Sequence, residues 1–332
     1  MPALPAAPDG LAVRPLRPDD ASAVAGLLVA AEALDDTGEF PDADDVAEEW
    51  AGWGVDPARD GVAVTDADGA LAAYAVVSAS PTFRDAYRIH LDGRVHPDRR
   101  GRGIGTALLG WEHARGTEVH AERHPEAEAL LVVGVSGAQP RLERLVEQRG
   151  FAAERWYRTM ERLLTDLPEA REVPGVEVVP FSWDRDDEVR RAHNTAFTEH
   201  HGSSERDAGS WQRLFTGSRA FRPDLSALAV ADGAVAGYVL GYVYEADTRA
   251  RGYREVVLGQ IGVRPGARGR GLASAMIGAA LRAAADHDCR VAALDVDSDN
   301  VTGALRLYER LGFDTVRTRV AWSLSLPPVA AG

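Results

Sequence analysis

The sequence predicts an α/β protein of two tandem domains, each a mixed central β-sheet flanked by helices. Three observations carry this. The stretch Arg100-Gly101-Arg102-Gly103-Ile104-Gly105 returns 168 residues later as Arg268-Gly269-Arg270-Gly271-Leu272-Ala273. The segment DADGALAAYAVV from Asp66 is answered by VADGAVAGYVLG from Val230, and QRGF from Gln148 by RLGF from Arg310, at offsets of 164 and 162. A period of this length marks a duplicated domain rather than a stacked solenoid repeat.

The two copies read in the same order. Each opens on a short strand, near Val13 and Val178, followed by a helical region: Asp19 to Trp50 in the first, Asp186 to Phe215 in the second. A hairpin around Asp-Gly follows, with Tyr74 or Tyr238 on its second strand. The next strand stops at a proline, in GRVHP (to Pro97) and IGVRP (to Pro265). The Arg/Gly stretch then opens a helix with an Ala/Leu face, for example Leu272, Ala275, Met276 and Ala279. A buried strand comes next, ALLVVGV or RVAALDV. A last helix ends at Gly-Phe, and a final strand closes the copy. Prolines and charges break the pattern in LLTDLPEAREVPGV, which sets expected domains at 1–165 and 176–328.

Composition narrows the function. The chain has 332 residues and a formal net charge of −14, and its cations are all arginine. Acids outnumber arginines 29 to 17 in residues 1–166 and 22 to 20 in the rest. Such acidity argues against a nucleic-acid partner and favours a cationic or neutral small-molecule acceptor. A single cysteine, Cys289, excludes an intrachain disulfide and a cysteine metal cluster. No metal site is expected. With no secretion signal and no apolar run of spanning length, the expectation is a cytoplasmic protein without membrane association, a monomer or homodimer.

A strand, a glycine-rich turn and a helix start bring several free backbone N–H groups to one point, where the helix dipole adds partial positive charge. That is an anion site. The glycines allow close approach of a bulky ligand, and the arginines add full charge. A phosphate loop of the Gly-Lys-Ser/Thr type is excluded by the absence of lysine. The spacing and its place deep in the domain also differ from a dinucleotide fingerprint.

This loop, with its preceding strand, resembles the acetyl-CoA pyrophosphate loop of the GNAT N-acetyltransferases. Its duplication resembles the tandem-GNAT proteins of actinobacteria, of the mycothiol-synthase kind. The resemblance implies acetyl-CoA as co-substrate, no metal, and direct attack by a primary amine in a ternary complex. It implies that the main chain of Ile261, Gly262 and Val263 hydrogen-bonds the pantetheine arm. The loop Arg268, Gly269, Arg270, Gly271, Leu272 and Ala273 would hold the pyrophosphate, with Asn300 reaching the arm. In the first half the corresponding cofactor residues are Val95, Arg100, Gly101, Arg102, Gly103 and Gly105.

The halves are unequal. Tyr308, five residues before Phe313, stands where the family often places the acid that protonates the departing thiolate. Val146 is its first-half counterpart, and valine has no proton to give. The first domain is therefore expected to be degenerate while keeping a CoA loop, and the second to be catalytic. The strand before the second loop carries Glu255 at its start, displaced from where mycothiol synthases carry a glutamate. It is a candidate base, acting through water, or simply a solvated strand end. Glu199, His200 and His201 are candidate acceptor contacts, or plain surface. The nine acids between Glu32 and Glu49 read as an amine-attracting patch or a solvated helix face. The functions in competition are acetylation of a small amine, acetylation of a cysteinyl pseudodisaccharide, and a non-catalytic acyl-CoA-binding module.

Overall fold

The computed structural model describes residues 2–5, 10–80, 82–167, 169, 171–198, 205–298 and 303–329. Asn300, Glu199, His200 and His201 lie outside the described residues. In chain order the elements are β1 (Ala12–Pro15), α1 (Ala21–Asp35), α2 (Ala43–Gly52), α3 (Pro57–Asp60), β2 (Gly61–Thr65), β3 (Leu71–Ala79), β4 (Tyr87–Val95), α4 (Ile104–Arg123), β5 (Ala129–Ser136), α5 (Pro140–Gln148) and β6 (Ala152–Leu163). There follow β7 (Glu177–Pro180), α6 (Asp186–Ala196), α7 (Ala208–Trp211), β8 (Phe221–Ala231), β9 (Ala234–Tyr242), α8 (Glu245–Arg251), β10 (Arg254–Val263), α9 (Leu272–Asp286), β11 (Cys289–Asp297), α10 (Ala304–Arg310) and β12 (Asp314–Leu326). Each half is thus a mixed sheet with helices on both faces, as the sequence predicts.

In the first unit β1, β2, β3 and β4 run antiparallel to their neighbours, β4 pairs parallel with β5, and β5 pairs antiparallel with residues 319–326 of β12. In the second, β7, β8, β9 and β10 repeat the antiparallel run and β10 pairs parallel with β11. Residues 157–163 of β6 then pair antiparallel with β11. The compact units are accordingly 1–156 with 319–332, and 157–318. The sequence boundaries, 1–165 and 176–328, follow the chain. The packing instead gives each sheet the closing strand that lies in the other copy's sequence. Strands β6 and β12 leave the same Gly-Phe turn and can each satisfy the same kind of sheet edge, so local pattern does not assign them.

Both faces of each sheet are packed. In the first unit Ile104, Leu108 and Trp111 of α4 cover Ile89, Leu91 and Val133, while Val24 and Leu27 of α1 and Trp50 of α2 cover Tyr74 and Val76 on the other face. In the second, Leu272, Met276 and Leu281 of α9 cover Val256, Leu258 and Leu294. Val189 of α6 and Trp211 pack on Tyr238 and Leu240 opposite. No helix of the described residues is long and apolar enough to cross a membrane.

Candidate active site

The two glycine loops share their backbone. Gly101 and Gly269 have φ of 79° and 76°, and the N-caps Gly103 and Gly271 have φ of 82° and 90°. In this left-handed region glycine is the residue without steric cost. Above Gly101, Gly103 and Gly269 there is open space, which is what an anion needs to reach the first N–H groups of α4 or α9. At Gly271 the guanidinium of Arg171 lies so close that an added Cβ would be 2.6 Å from it. The sequence offered no signal for Arg171, which sits in the proline-broken segment between the copies.

Three of the four loop arginines make contacts within the protein. Arg100 turns inward, its Nε donating to the Val95 carbonyl at 3.0 Å and its terminal nitrogens forking onto the Asp35 carboxylate at 2.7 and 2.9 Å. Arg268 repeats the first contact, donating to the Val263 carbonyl, and replaces the second with the Ala196 carbonyl at the end of α6. Both side chains brace the loop against the end of the first long helix of their unit. Arg270 donates to the Pro174 carbonyl, and Arg102 is exposed. Asp35 is 3% exposed as a residue. Asp35 also pairs with Arg94 at 3.5 Å, so Arg100→Ala is expected to lower stability by about 1–3 kcal/mol through the loss of the fork on a buried carboxylate, read from the denaturant midpoint.

The parallel strands separate just before each loop. Pairing of β4 with β5 ends at His90 and Val132, and that of β10 with β11 ends at Val257 and Ala293. Beyond those points Ile261, Gly262 and Val263 remain paired with β9 on one side. Their other side faces the gap. Val95 holds the same place in the first unit, paired with Ala73. There the gap opens into a cleft of about 730 Å³ lined by Val95, the loop residues Arg100, Gly101, Gly103 and Gly105, Gly134 and α5. The residues present fit a ligand with a pyrophosphate and an extended, amide-bearing arm: glycine N–H groups at one end and an unpaired strand edge along its length. Gly262 is required by packing, since a Cβ there would lie 2.5 Å from the Tyr238 ring. Leu272 is buried in the core and Ala273 half-buried, so they offer main chain to the loop. Among the described residues, no group of three or more His, Cys, Asp or Glu is arranged to hold a metal.

Tyr308 and Val146 occupy equivalent places. The Phe313 N–H donates to the Tyr308 carbonyl at 3.0 Å and the Phe151 N–H to the Val146 carbonyl at 3.1 Å, each across a glycine with φ above 80°. Tyr308 is 7% exposed, its ring 6.2 Å from that of Phe313. Burial pushes its hydroxyl up to about 12, so it keeps its proton at neutral pH.

Glu255 is not a solvated strand end. It is 8% exposed and accepts from Arg251 at 3.1 Å. Burial pushes its carboxyl up to about 7, Arg251 opposing and Glu161 adding to the rise. It sits two residues before β10 parts from β11. Beyond it β10 shifts register against β9 between Leu258 and Gln260, and a Cβ at Gly259 would strike the Tyr242 ring at 2.8 Å. This irregularity has no counterpart in β4. In the acceptor region, His193 is buried with its Nδ1 2.7 Å from the Tyr238 hydroxyl. Several of the first-half acids serve local structure: Glu32 accepts from the Thr37 and Gly38 N–H groups, and Asp42 caps α2.

The acetyltransferase (GNAT) family model matches residues 28–151 and 187–313. The chain belongs to this family. This GNAT protein is an acetyltransferase-family enzyme with the domain present twice. It is 31% identical to the mycothiol acetyltransferase of Mycolicibacterium gilvum over 94% of this chain and 97% of that one. It is 34% identical to that of Frankia casuarinae over 70% and 67%. Among solved structures, a GCN5-related N-acetyltransferase from Sphaerobacter thermophilus matches with a TM-score of 0.76 and 28% identity, covering 98% of both chains. A tandem GNAT protein from the clavulanic acid biosynthesis pathway shares the fold, with a TM-score of 0.68 at 18% identity over 97% and 99%.

Proposed function

We propose that the protein transfers an acetyl group from acetyl-CoA to a primary amine of a small molecule, with the second unit carrying the chemistry. The observation that carries this reading is the pairing of one unpaired strand edge and glycine loop with one buried tyrosine, Tyr308, where the first unit has Val146. Acetyl-CoA supplies the activated acetyl thioester. The N–H groups from Gly269 to Ala273 would hold its pyrophosphate, and the main chain of Ile261 to Val263 its arm. The braces from Arg268 and Arg270 keep the loop in shape. Tyr308, protonated, would donate to the departing thiolate. The reading assigns Asn300 a contact with the arm on the resemblance alone.

Glu255 would take the amine's proton, directly or through a water. A base acts when ionised, and this carboxyl is held at about 7. So kcat/KM is expected to fall about tenfold per pH unit below that point and to level off above it. Glu255→Gln should lower the plateau and remove this limb. An unchanged profile in that variant, measured with an acceptor that does not titrate in the range, rules Glu255 out as the base.

The full-length similarity to mycothiol acetyltransferases supports a narrower reading, in which the acceptor is a cysteinyl pseudodisaccharide. Free-CoA release with a panel of amines tests transfer as such, and no release with any amine leaves a CoA-binding module. Thiol profiling of a deletion strain tests the narrower acceptor: loss of the acetylated thiol supports it, and an unchanged thiol pool rejects it.

A further inference from the structure

The cleft of the first unit holds a polar group that the proposed chemistry does not use. Glu112, on α4, is 5% exposed, and its Oε1 has no hydrogen-bond partner among the described residues. The residue lines the 730 Å³ cleft. Its carboxyl reaches β4 at Gly93, where an added Cβ would stand 3.4 Å from Oε1. Burying a carboxyl oxygen without a partner is costly, and a group left so in a cleft points to a ligand. The second unit differs. Counting from the N-caps Gly103 and Gly271, the place of Glu112 is taken by Ala280, which packs in the core. At these two equivalent places the first copy thus has Glu112 and Val146, and the second Ala280 and Tyr308.

Glu112 lies eight residues into α4 from Ile104, about 12 Å along the helix from the glycine loop. A ligand anchored by its pyrophosphate at the loop would pass Glu112 with its arm. We propose that Glu112 donates a hydrogen bond to an amide carbonyl of a pantetheine arm lying between β4 and β5, and so sets what the first unit binds. This rests on the reading that the first loop takes CoA. Burial and the neighbouring Asp92 push the Glu112 carboxyl up to about 8, Arg94 opposing, so at neutral pH it carries the proton it would donate. The other charged groups lining the same cleft are Asp35, Arg99 and Arg100, with Arg141 and Arg144 of α5, and Arg115 on the same helix is held by Asp60, Glu118 and Glu122.

Calorimetry with desulfo-CoA tests this. That probe keeps both amides and lacks the thiol that would titrate. The protein is the intact chain carrying Gly271→Glu, which silences the second loop, and Gly103→Glu added to it locates binding at the first. Affinity is expected to fall about tenfold or more from pH 7 to pH 9.5, as the donor becomes an anion facing a carbonyl. With Glu112→Gln, which donates at every pH, affinity should stay within about threefold across that range. Glu112→Ala, the second unit's residue, should bind several-fold more weakly at pH 7 and show no pH dependence. Binding with the same pH profile in Glu112→Gln as in the parent overturns the inference and leaves CoA binding standing. No binding at pH 7 overturns both.

Discussion

Tyr308→Phe is expected to lower kcat by about 10²- to 10⁴-fold, the range general acid catalysis contributes, or roughly 3–5 kcal/mol of barrier. The ring stays, so its packing against Phe313 in the core is kept. What is lost is a hydroxyl that burial holds at about 12 and that matters when the thiolate forms. Acetyl-CoA affinity should therefore change little, and kcat and kcat/KM should fall together. Steady-state kinetics at saturating acetyl-CoA, with binding measured separately, is the check. A variant with undiminished kcat would mean that the thiolate takes its proton from water and that Tyr308 is a core residue. The converse change, Val146→Tyr, is not expected to create activity, since β4 lacks the register shift and the buried glutamate of β10.

Gly271→Glu should cost kcat/KM for acetyl-CoA about 10²-fold or more. Three effects add. A carboxylate at the helix start repels the pyrophosphate, and like charges brought together cost several kcal/mol. The left-handed backbone there, φ of 90°, strains any residue with a Cβ by roughly 1–2 kcal/mol. And the new carboxylate would sit against the Arg171 guanidinium, occupying the anion position with a side chain. Gly103→Glu should remove CoA from the first loop in the same way and leave kcat within about threefold. Turnover assays on both variants, with circular dichroism to confirm folding, decide the division of labour. If Gly103→Glu abolished turnover in a folded protein while Tyr308→Phe did not, the active site would lie in the first unit.

Much of the molecule is legible locally. The strand and helix order of each half, the positive-φ glycines of the loops and the Gly-Phe helix ends follow from side-chain periodicity and from conformations that glycine alone adopts freely. The inequality of Tyr308 and Val146 could be read by counting back from Phe313 and Phe151, because a helix end fixes that spacing. Even Glu112 left a trace. It falls on the stripe of Ile104, Leu108 and Gly116, all buried, and a carboxylate on such a stripe is a signal visible in the sequence.

The rest needed residues far apart in the chain to be brought together. Loop arginines read as phosphate ligands because charge is visible in a sequence and partners are not. Asp35 lies 65 residues before Arg100, yet the two form a fork. Glu255 stayed open between a base and a solvated strand end, because burial is not visible in a sequence; the structure buries it and pairs it with Arg251. The sequence bounds, 1–165 and 176–328, leave each closing strand with its own copy, whereas pairing places β6 beside β11 and β12 beside β5. By itself the sequence determined two copies of one α/β unit, each with its glycine loop, and Tyr308 where the other copy has Val146, since these rest on backbone geometry and short-range spacing. Only the tertiary structure decided which strand completes which sheet, which arginines are braces and which carboxyl faces a cleft, because pairing and burial are settled between residues that the chain keeps far apart.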